Sequence, residues 1–110
     1  LYEPLHPAVL QAIASVVAAG RAAGKPVSLC GEMAADPTHS LVLVGLGLTE
    51  LSMGSFFIPA IKRLLRAVRF ADIEKLAAQT LTLASVNEVK SCVFETMRSL
   101  GVIDIIEVYH

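Results

Sequence analysis

The chain has 110 residues and a formal net charge of −1, which excludes bulk electrostatic attraction to nucleic acid or anionic lipid. Apolar residues make up 55% of it, yet no apolar run is long enough to cross a membrane. Its two cysteines lie far apart and form neither a disulfide framework nor a metal-ligand spacing, which favours a reducing, cytoplasmic setting. The chain also begins at Leu1 and not at Met. We therefore expect one unit, residues 1–110, cut from a larger protein that covers its apolar surface.

Helices and short strands alternate along the first half of the sequence. Pro7 suits the first turn of a helix, and Gly24 is a stop signal for it. Residues 27–30 are predicted to form a short buried strand. Asp36, followed by proline, is a typical N-cap for a second helix. Residues 49–53 are predicted to form a second short strand.

Further helices are predicted in the second half. Pro59 lies near the start of one helix, and residues 72–83 suit another. Ser85 and Glu88 form a capping box, in which each side chain satisfies a free backbone amide at the start of a third helix. Residues 102–110 are rich in β-branched side chains and are predicted to form a strand.

Strands that alternate with helices through short connections imply a parallel sheet with right-handed crossovers. Two strands do not make a sheet that stands alone, so the chain is expected to be a piece of an α/β domain. Ligands bind at the carboxyl ends of the strands in such folds. Cys30, Gly31 and Glu32 follow the first strand, and they are the candidate site residues.

Two stretches carry a specific resemblance. "KPVSLCGEMAADP" and "GLGLTELSMGSFFIPAIKRLLR" resemble the end of the phosphoenolpyruvate-binding barrel of Enzyme I, the phosphoenolpyruvate–protein phosphotransferase of the bacterial sugar phosphotransferase system. The resemblance covers roughly residues 1–90. It implies a carboxyl-terminal fragment of a (β/α)8 TIM barrel, comprising the last two strand-helix units with their flanking helices. Residues 102–110 match nothing in that pattern.

The resemblance also implies an activity. Enzyme I transfers the phosphoryl group of phosphoenolpyruvate to its own histidine and then to the phosphocarrier HPr, with Mg²⁺, and leaves pyruvate. The histidine, the phosphate-binding arginines and the Mg²⁺ ligands would lie upstream of this chain. The fragment itself is therefore expected to be inactive and to bind no cofactor.

Alternative interpretations remain open. Phosphoenolpyruvate synthase and pyruvate phosphate dikinase share the Cys-Gly-Glu turn, so the chain could derive from either. A second class is a dimerisation module, since these segments form the dimer surface of Enzyme I. We expect a homo-oligomer and neither a nucleic-acid nor a membrane partner.

The resemblance assigns Cys30 as the acid that protonates the methylene carbon of enolpyruvate. A free thiol has a pKa of about 8.5, so at neutral pH it is mostly protonated and can donate. Gly31 would let the backbone approach a ligand closely. Glu32 would either support the site or cap the amides of the next loop. Cys92 is expected to pack in the core.

Other chemistry-bearing residues are given ordinary structural interpretations. The spacing of His6, His39 and His110 matches no metal pattern. The predicted helix after Pro59 has a basic face, which we interpret as exposed to solvent. This face consists of Lys62, Arg63, Arg66 and Arg69.

Overall fold

The computed structural model describes residues 3–107, which form seven helices and two strands. In chain order these are α1 (Pro7–Ala23), β1 (Ser28–Cys30), α2 (Glu32–Ala35), α3 (Pro37–Gly45), β2 (Glu50–Ser52), α4 (Ile58–Arg66), α5 (Phe70–Thr80), α6 (Val86–Ser99) and α7 (Ile103–Glu107).

The two strands pair in parallel, as predicted, with α2 and α3 in the connection between them. Their register pairs Ser28 with Glu50, Leu29 with Leu51 and Cys30 with Ser52. Successive side chains of a strand point to opposite faces, so Leu29 and Leu51 share one face and pack against the hydrophobic core. The opposite face is polar and exposed, and it carries Ser28, Cys30, Glu50 and Ser52.

The helix boundaries confirm most of the predicted caps. Asp36 is the N-cap of α3, and its Oδ1 accepts hydrogen bonds from the amide of Thr38 at 2.9 Å and from the hydroxyl of Thr38 at 2.7 Å. Ser85 Oγ accepts from the amide of Glu88 at 3.2 Å at the start of α6. Gly24 ends α1 with φ 67°, in the left-handed region that favours glycine.

Helix α3 occupies the centre of the molecule. Leu41, Val42 and Leu43 are fully buried on it, so the helix is apolar on nearly every side. Although α3 has only nine residues, it packs against α4, α5, α6 and α7. Within the described residues, no helix is both long enough and apolar enough to cross a membrane.

Helix α5 approaches α3 closely at Gly45. A Cβ atom added there would overlap the carbonyl oxygen of Ile73 and would lie 2.9 Å from Cβ of Ala77. Only a residue without a side chain allows this contact between the two helix backbones. The contact fixes the second half of the chain on the strand-bearing first half.

The predicted strand at residues 102–110 is wrong for its described part. Residues 103–107 form α7, and residues 108–110 lie outside the described residues. Val102 and Ile105, three positions apart, are both buried, which is a helical spacing and not a strand spacing. Asp104 lies in the first turn, where a carboxylate interacts favourably with the helix dipole. Packing against α3 and α6 thus prevails over β propensity.

Two further boundaries differ from expectation. The helix predicted at 72–83 is α5, which begins at Phe70 and ends at Thr80. The amide of Leu83 donates to the carbonyl of Thr80 at 3.3 Å, so the last predicted turn is a tighter connection. Helix α2 was not predicted, because four residues are too few to show a helical period.

Candidate functional site

The carboxyl ends of both strands meet at one edge of the sheet. Cys30 and Ser52 are the last residues of β1 and β2, and they are register partners. Beyond them, the amide of Gly31 donates a hydrogen bond to the carbonyl oxygen of Ser52 at 3.2 Å. The Cys-Gly-Glu turn is thereby fastened to the neighbouring strand.

Gly31 has a conformation that requires glycine. Its φ is 105° and its ψ is −165°, a combination that L side chains rarely adopt. A Cβ atom added there would meet no atom within 4 Å. The glycine is needed for the backbone turn, and the space in front of it is open to a ligand.

Glu32 is the first residue of α2, directly after this turn. Its side chain is exposed, and α2 has no side-chain cap at its start. Among the described residues its carboxylate has no hydrogen-bonding partner. A structural capping role therefore receives no support here, and the carboxylate is available at the carboxyl edge.

Cys30 itself is exposed on the polar face of the sheet. Ser52 lies beside it, and Ser28 with Glu50 form the next register pair on the same face, towards the amino ends of the strands. Sequence reasoning identified the Cys-Gly-Glu turn but not Ser52. The alternation in residues 49–53 held the signal, since it places Glu50 and Ser52 on one face, but only the register shows which side chain lies next to the thiol.

The second cysteine has a different environment. Cys92 is partly buried on α6 and packs against the core, as predicted. Its thiol donates a weak hydrogen bond to Oε1 of Gln79 at 3.9 Å. It lines a cavity of about 570 Å³ together with Thr82, Asn87 and Ser91. Burial raises the pKa of the Cys92 thiol.

The two thiols should therefore differ in labelling rate. Because the thiolate is the reactive form, we expect iodoacetamide at pH 8 to modify exposed Cys30 first and Cys92 more slowly. The folded chain holds the Cys92 proton more tightly than the unfolded chain does. This contribution to stability is present below the ordinary thiol pKa and is lost as the pH rises through the raised value. Mass spectrometry of the labelled peptides over pH 7–10 measures both rates, and faster modification of Cys92 in the folded chain would contradict this assignment.

The remaining candidate residues do not form a site. Nδ1 of His6 accepts from the amide of Ala8 at 3.0 Å and caps α1, while His39 lies 3.9 Å from Asp36. His110 is outside the described residues. Across residues 3–107, no three His, Cys, Asp or Glu side chains are grouped closely enough to hold a metal ion.

The basic face of α4 is exposed to solvent, as the sequence suggested. Lys62, Arg63 and Arg66 are all exposed, and so is Arg69 just beyond the helix. Arg63 lies 3.6 Å from Asp104, with both side chains about two-thirds exposed. Exposed pairs of this kind contribute little to stability.

The parallel βαβ unit brings its Cys-Gly-Glu turn to the carboxyl end of a second strand, which is the edge at which α/β folds generally bind ligands. Residues 1–70 match the family of PEP-utilising enzymes through its PEP-binding domain, and the chain belongs to this family. The resemblance inferred from the motifs is thereby confirmed. Helices α5, α6 and α7 lie almost entirely beyond the matched residues.

Individual relatives agree with the family match. The chain is 41% identical over 93 residues to a phosphoenolpyruvate-protein phosphotransferase of Buchnera aphidicola, and 41% identical over 95 residues to that of Haemophilus influenzae. These matches cover 84% and 86% of this chain but only 16% of each relative. A phosphoenolpyruvate-dependent phosphotransferase system protein of Escherichia coli is 38% identical over 101 residues, which is 92% of this chain and 14% of that protein.

Proposed function

We propose that this chain is the carboxyl-terminal part of the catalytic barrel of a phosphoenolpyruvate–protein phosphotransferase. In this proposal β1 and β2 are the last two strands of a (β/α)8 barrel, and their polar face lines its interior. The enzyme would transfer the phosphoryl group of phosphoenolpyruvate to a protein histidine and then to an HPr-type phosphocarrier, in the cytoplasm. The observation that carries the proposal is the Cys-Gly-Glu turn at the carboxyl edge of a parallel strand pair.

Cys30 has the chemistry and the position that the last step of this reaction needs. Loss of the phosphoryl group leaves enolpyruvate, whose methylene carbon must receive a proton to give pyruvate. A thiol at the carboxyl edge can donate that proton, and Gly31 keeps the approach open. Glu32 is a supporting residue in this proposal, since its exposed carboxylate follows the turn directly.

Mg²⁺ would be held elsewhere in the full-length enzyme. It needs oxygen ligands in near-octahedral geometry, and the described residues provide no cluster of the required kind. The donor set of the described residues therefore does not fit the metal, and the role proposed for Cys30 does not involve it.

A chimaera tests the proposal. In the Haemophilus influenzae relative, the segment that aligns with this chain is replaced by the residues of this chain. We expect the chimaera to form phosphohistidine from phosphoenolpyruvate and to release pyruvate, with the unmodified relative as the control. A folded chimaera that does neither would overturn the proposal, and ATP-dependent activity in the matching chimaera of a dikinase or synthase would favour that alternative.

The isolated chain should behave differently from the whole enzyme. Phosphoryl transfer needs cations around the transferred group, and the strands proposed to supply them lie outside this sequence. We expect residues 1–110 to catalyse no transfer and to bind phosphoenolpyruvate with a dissociation constant well above the micromolar range. Isothermal titration calorimetry with Mg²⁺ measures this, and micromolar affinity would contradict it.

An interaction role is the second candidate, because apolar surface is exposed beside β2. A cavity of about 650 Å³ is lined mostly by apolar side chains, among them Leu51, Ile58, Leu65 and Phe70. Phe70 is 51% exposed. Four apolar residues on or beside the two strands are only partly buried, namely Val27, Leu29, Leu51 and Met53.

We therefore expect the isolated chain to self-associate, most simply as a two-fold dimer. Light scattering coupled to size exclusion should give a mass near twice the 11.7 kDa of the chain. Phe70→Ser should weaken the dimer several-fold, whereas Val16→Ser, which changes an exposed apolar residue away from this cavity, should not. A monodisperse monomer at micromolar concentration would contradict the prediction.

A further inference from the structure

Ser52 and Cys30 lie side by side at the carboxyl edge of the sheet. Neighbouring strands lie about 5 Å apart, and the two residues are register partners on the same exposed face. The hydrogen bond from the Gly31 amide to the Ser52 carbonyl holds the two strand ends together. A molecule small enough to contact the thiol at this edge therefore also lies within reach of the Ser52 hydroxyl.

The Ser52 hydroxyl is not used by the fold. Some other hydroxyls of the chain bond to nearby carbonyls, as Ser40 does with Pro37 at 3.1 Å and Thr80 with Ala77 at 2.7 Å. Among the described residues, no side chain or backbone group is hydrogen-bonded to the Ser52 hydroxyl. The O–H group of Ser52 is thus free to donate a hydrogen bond to a ligand that displaces water.

We propose that Ser52 is a substrate-binding residue of the Cys30 site. Its hydroxyl donates a hydrogen bond to an oxygen of enolpyruvate while the methylene carbon faces the thiol. Reacting atoms lie about 3–3.5 Å apart, and a hydroxyl–oxygen hydrogen bond spans about 2.7 Å. Two side chains about 5 Å apart can therefore hold the carbon and an oxygen of one three-carbon molecule.

The inference rests on the proposed function and deepens it. In the protonation step the S–H bond of Cys30 breaks and a C–H bond forms on the methylene carbon. The enolate electron pair makes the new bond, the enolate oxygen becomes a carbonyl, and sulfur retains its electron pair as a thiolate. Solvent then returns a proton to sulfur, and Ser52 keeps its own proton throughout while orienting the substrate.

Alkylation of the chain itself provides the first test. The Cys30 thiolate attacks C3 of 3-bromopyruvate, so that an S–C bond forms and bromide leaves. The oxygens of this reagent can accept a hydrogen bond. 4-Vinylpyridine alkylates the same sulfur without an oxygen acceptor. The measured quantity is the ratio of the two rate constants at Cys30, followed by mass spectrometry of its peptide.

Ser52→Ala should lower this ratio about two- to tenfold, and Ser52→Thr should retain it. Ser28→Ala is the matched control, because Ser28 is exposed on the same face but lies two residues earlier on β1. A purely structural effect would slow both reagents alike and leave the ratio unchanged. An unchanged ratio in Ser52→Ala, or an equal fall in Ser28→Ala, would overturn the inference.

The chimaera separates this inference from the proposed function. There, Ser52→Ala should lower kcat/KM for pyruvate formation about ten- to a hundredfold, and Ser28→Ala should change it less than about twofold. An inactive parent chimaera with a lowered alkylation ratio would reject the proposed function and support substrate binding by Ser52. If the chimaera is active and Ser52→Ala changes neither its kcat/KM nor the alkylation ratio, the proposed function is supported and the inference is overturned.

Discussion

Replacing Cys30 with serine in the chimaera should lower the rate of pyruvate formation about 10²- to 10⁴-fold, the usual contribution of a positioned general acid. A hydroxyl is a much weaker acid than a thiol, so the enolate would wait for a proton. Formation of phosphohistidine precedes this step and should change only a few-fold. Coupled detection of pyruvate, alongside direct measurement of the phosphorylated protein, separates the two stages.

Cys92→Ser is the matched control for this substitution. It makes the same chemical change at a thiol that packs against the core on α6, away from the carboxyl edge. Both stages of the reaction should proceed normally in that variant. Equal turnover of phosphoenolpyruvate to pyruvate by Cys30→Ser and by the parent would show that the thiol is not the acid.

Gly45→Ala should destabilise the chain by about 2 kcal/mol. Alanine is favoured over glycine in a helix by about 1 kcal/mol, but its methyl group would overlap the carbonyl oxygen of Ile73. Overpacking of a core typically costs about 1–3 kcal/mol and occasionally more, and here the opposing atom is backbone that can move only with α5. The steric cost thus exceeds the gain in propensity, and the melting temperature should fall by about 10 °C.

The control for this prediction is Gly54→Ala. A Cβ atom at Gly54 would find its nearest neighbour, in the Phe57 ring, at 3.7 Å, an ordinary contact. The free energy of unfolding of the Gly54→Ala variant should therefore be unchanged or raised by up to about 1 kcal/mol. Thermal unfolding at one fixed protein concentration compares the variants, since self-association would shift the transition. A Gly45→Ala variant as stable as the parent would mean that the two helices do not approach as described.

Local signals in the sequence were sufficient for the elements near the candidate site. The Asp36 cap and the glycine at the end of α1 each act over a few residues, and both are reproduced. Residues 28–30 form the first strand, but Ser28 and Cys30 are exposed, so the prediction that this strand is buried is wrong. The strand prediction is wrong for residues 103–107 because β-branched composition is the only local signal there. The packing that favours a helix involves α3, which is distant in sequence, as well as the preceding helix α6.

The site shows the same division between local and distant information. The Cys-Gly-Glu turn is contiguous, so its residues could be identified from the sequence alone. The neighbour of the thiol could not, because Ser52 is brought there by the register between two strands that residues 31–49 separate. Register depends on how the connection through α2 and α3 packs and returns the chain to the sheet, and no short motif encodes that packing.

The close contact of α3 with α5 shows that the part of the chain that packs together is longer than the part that the family model matches. The family match ends at residue 70, where α5 begins. A chain truncated there would lose the α5 backbone that packs on Gly45, and Ile73 and Leu76 would be removed from the interior. The packed unit therefore extends past the segment that the family model matches, just as the individual relatives align over 93 to 101 residues. The shape of α3 at Gly45 thus constrains α5, which lies outside the residues that the family model matches.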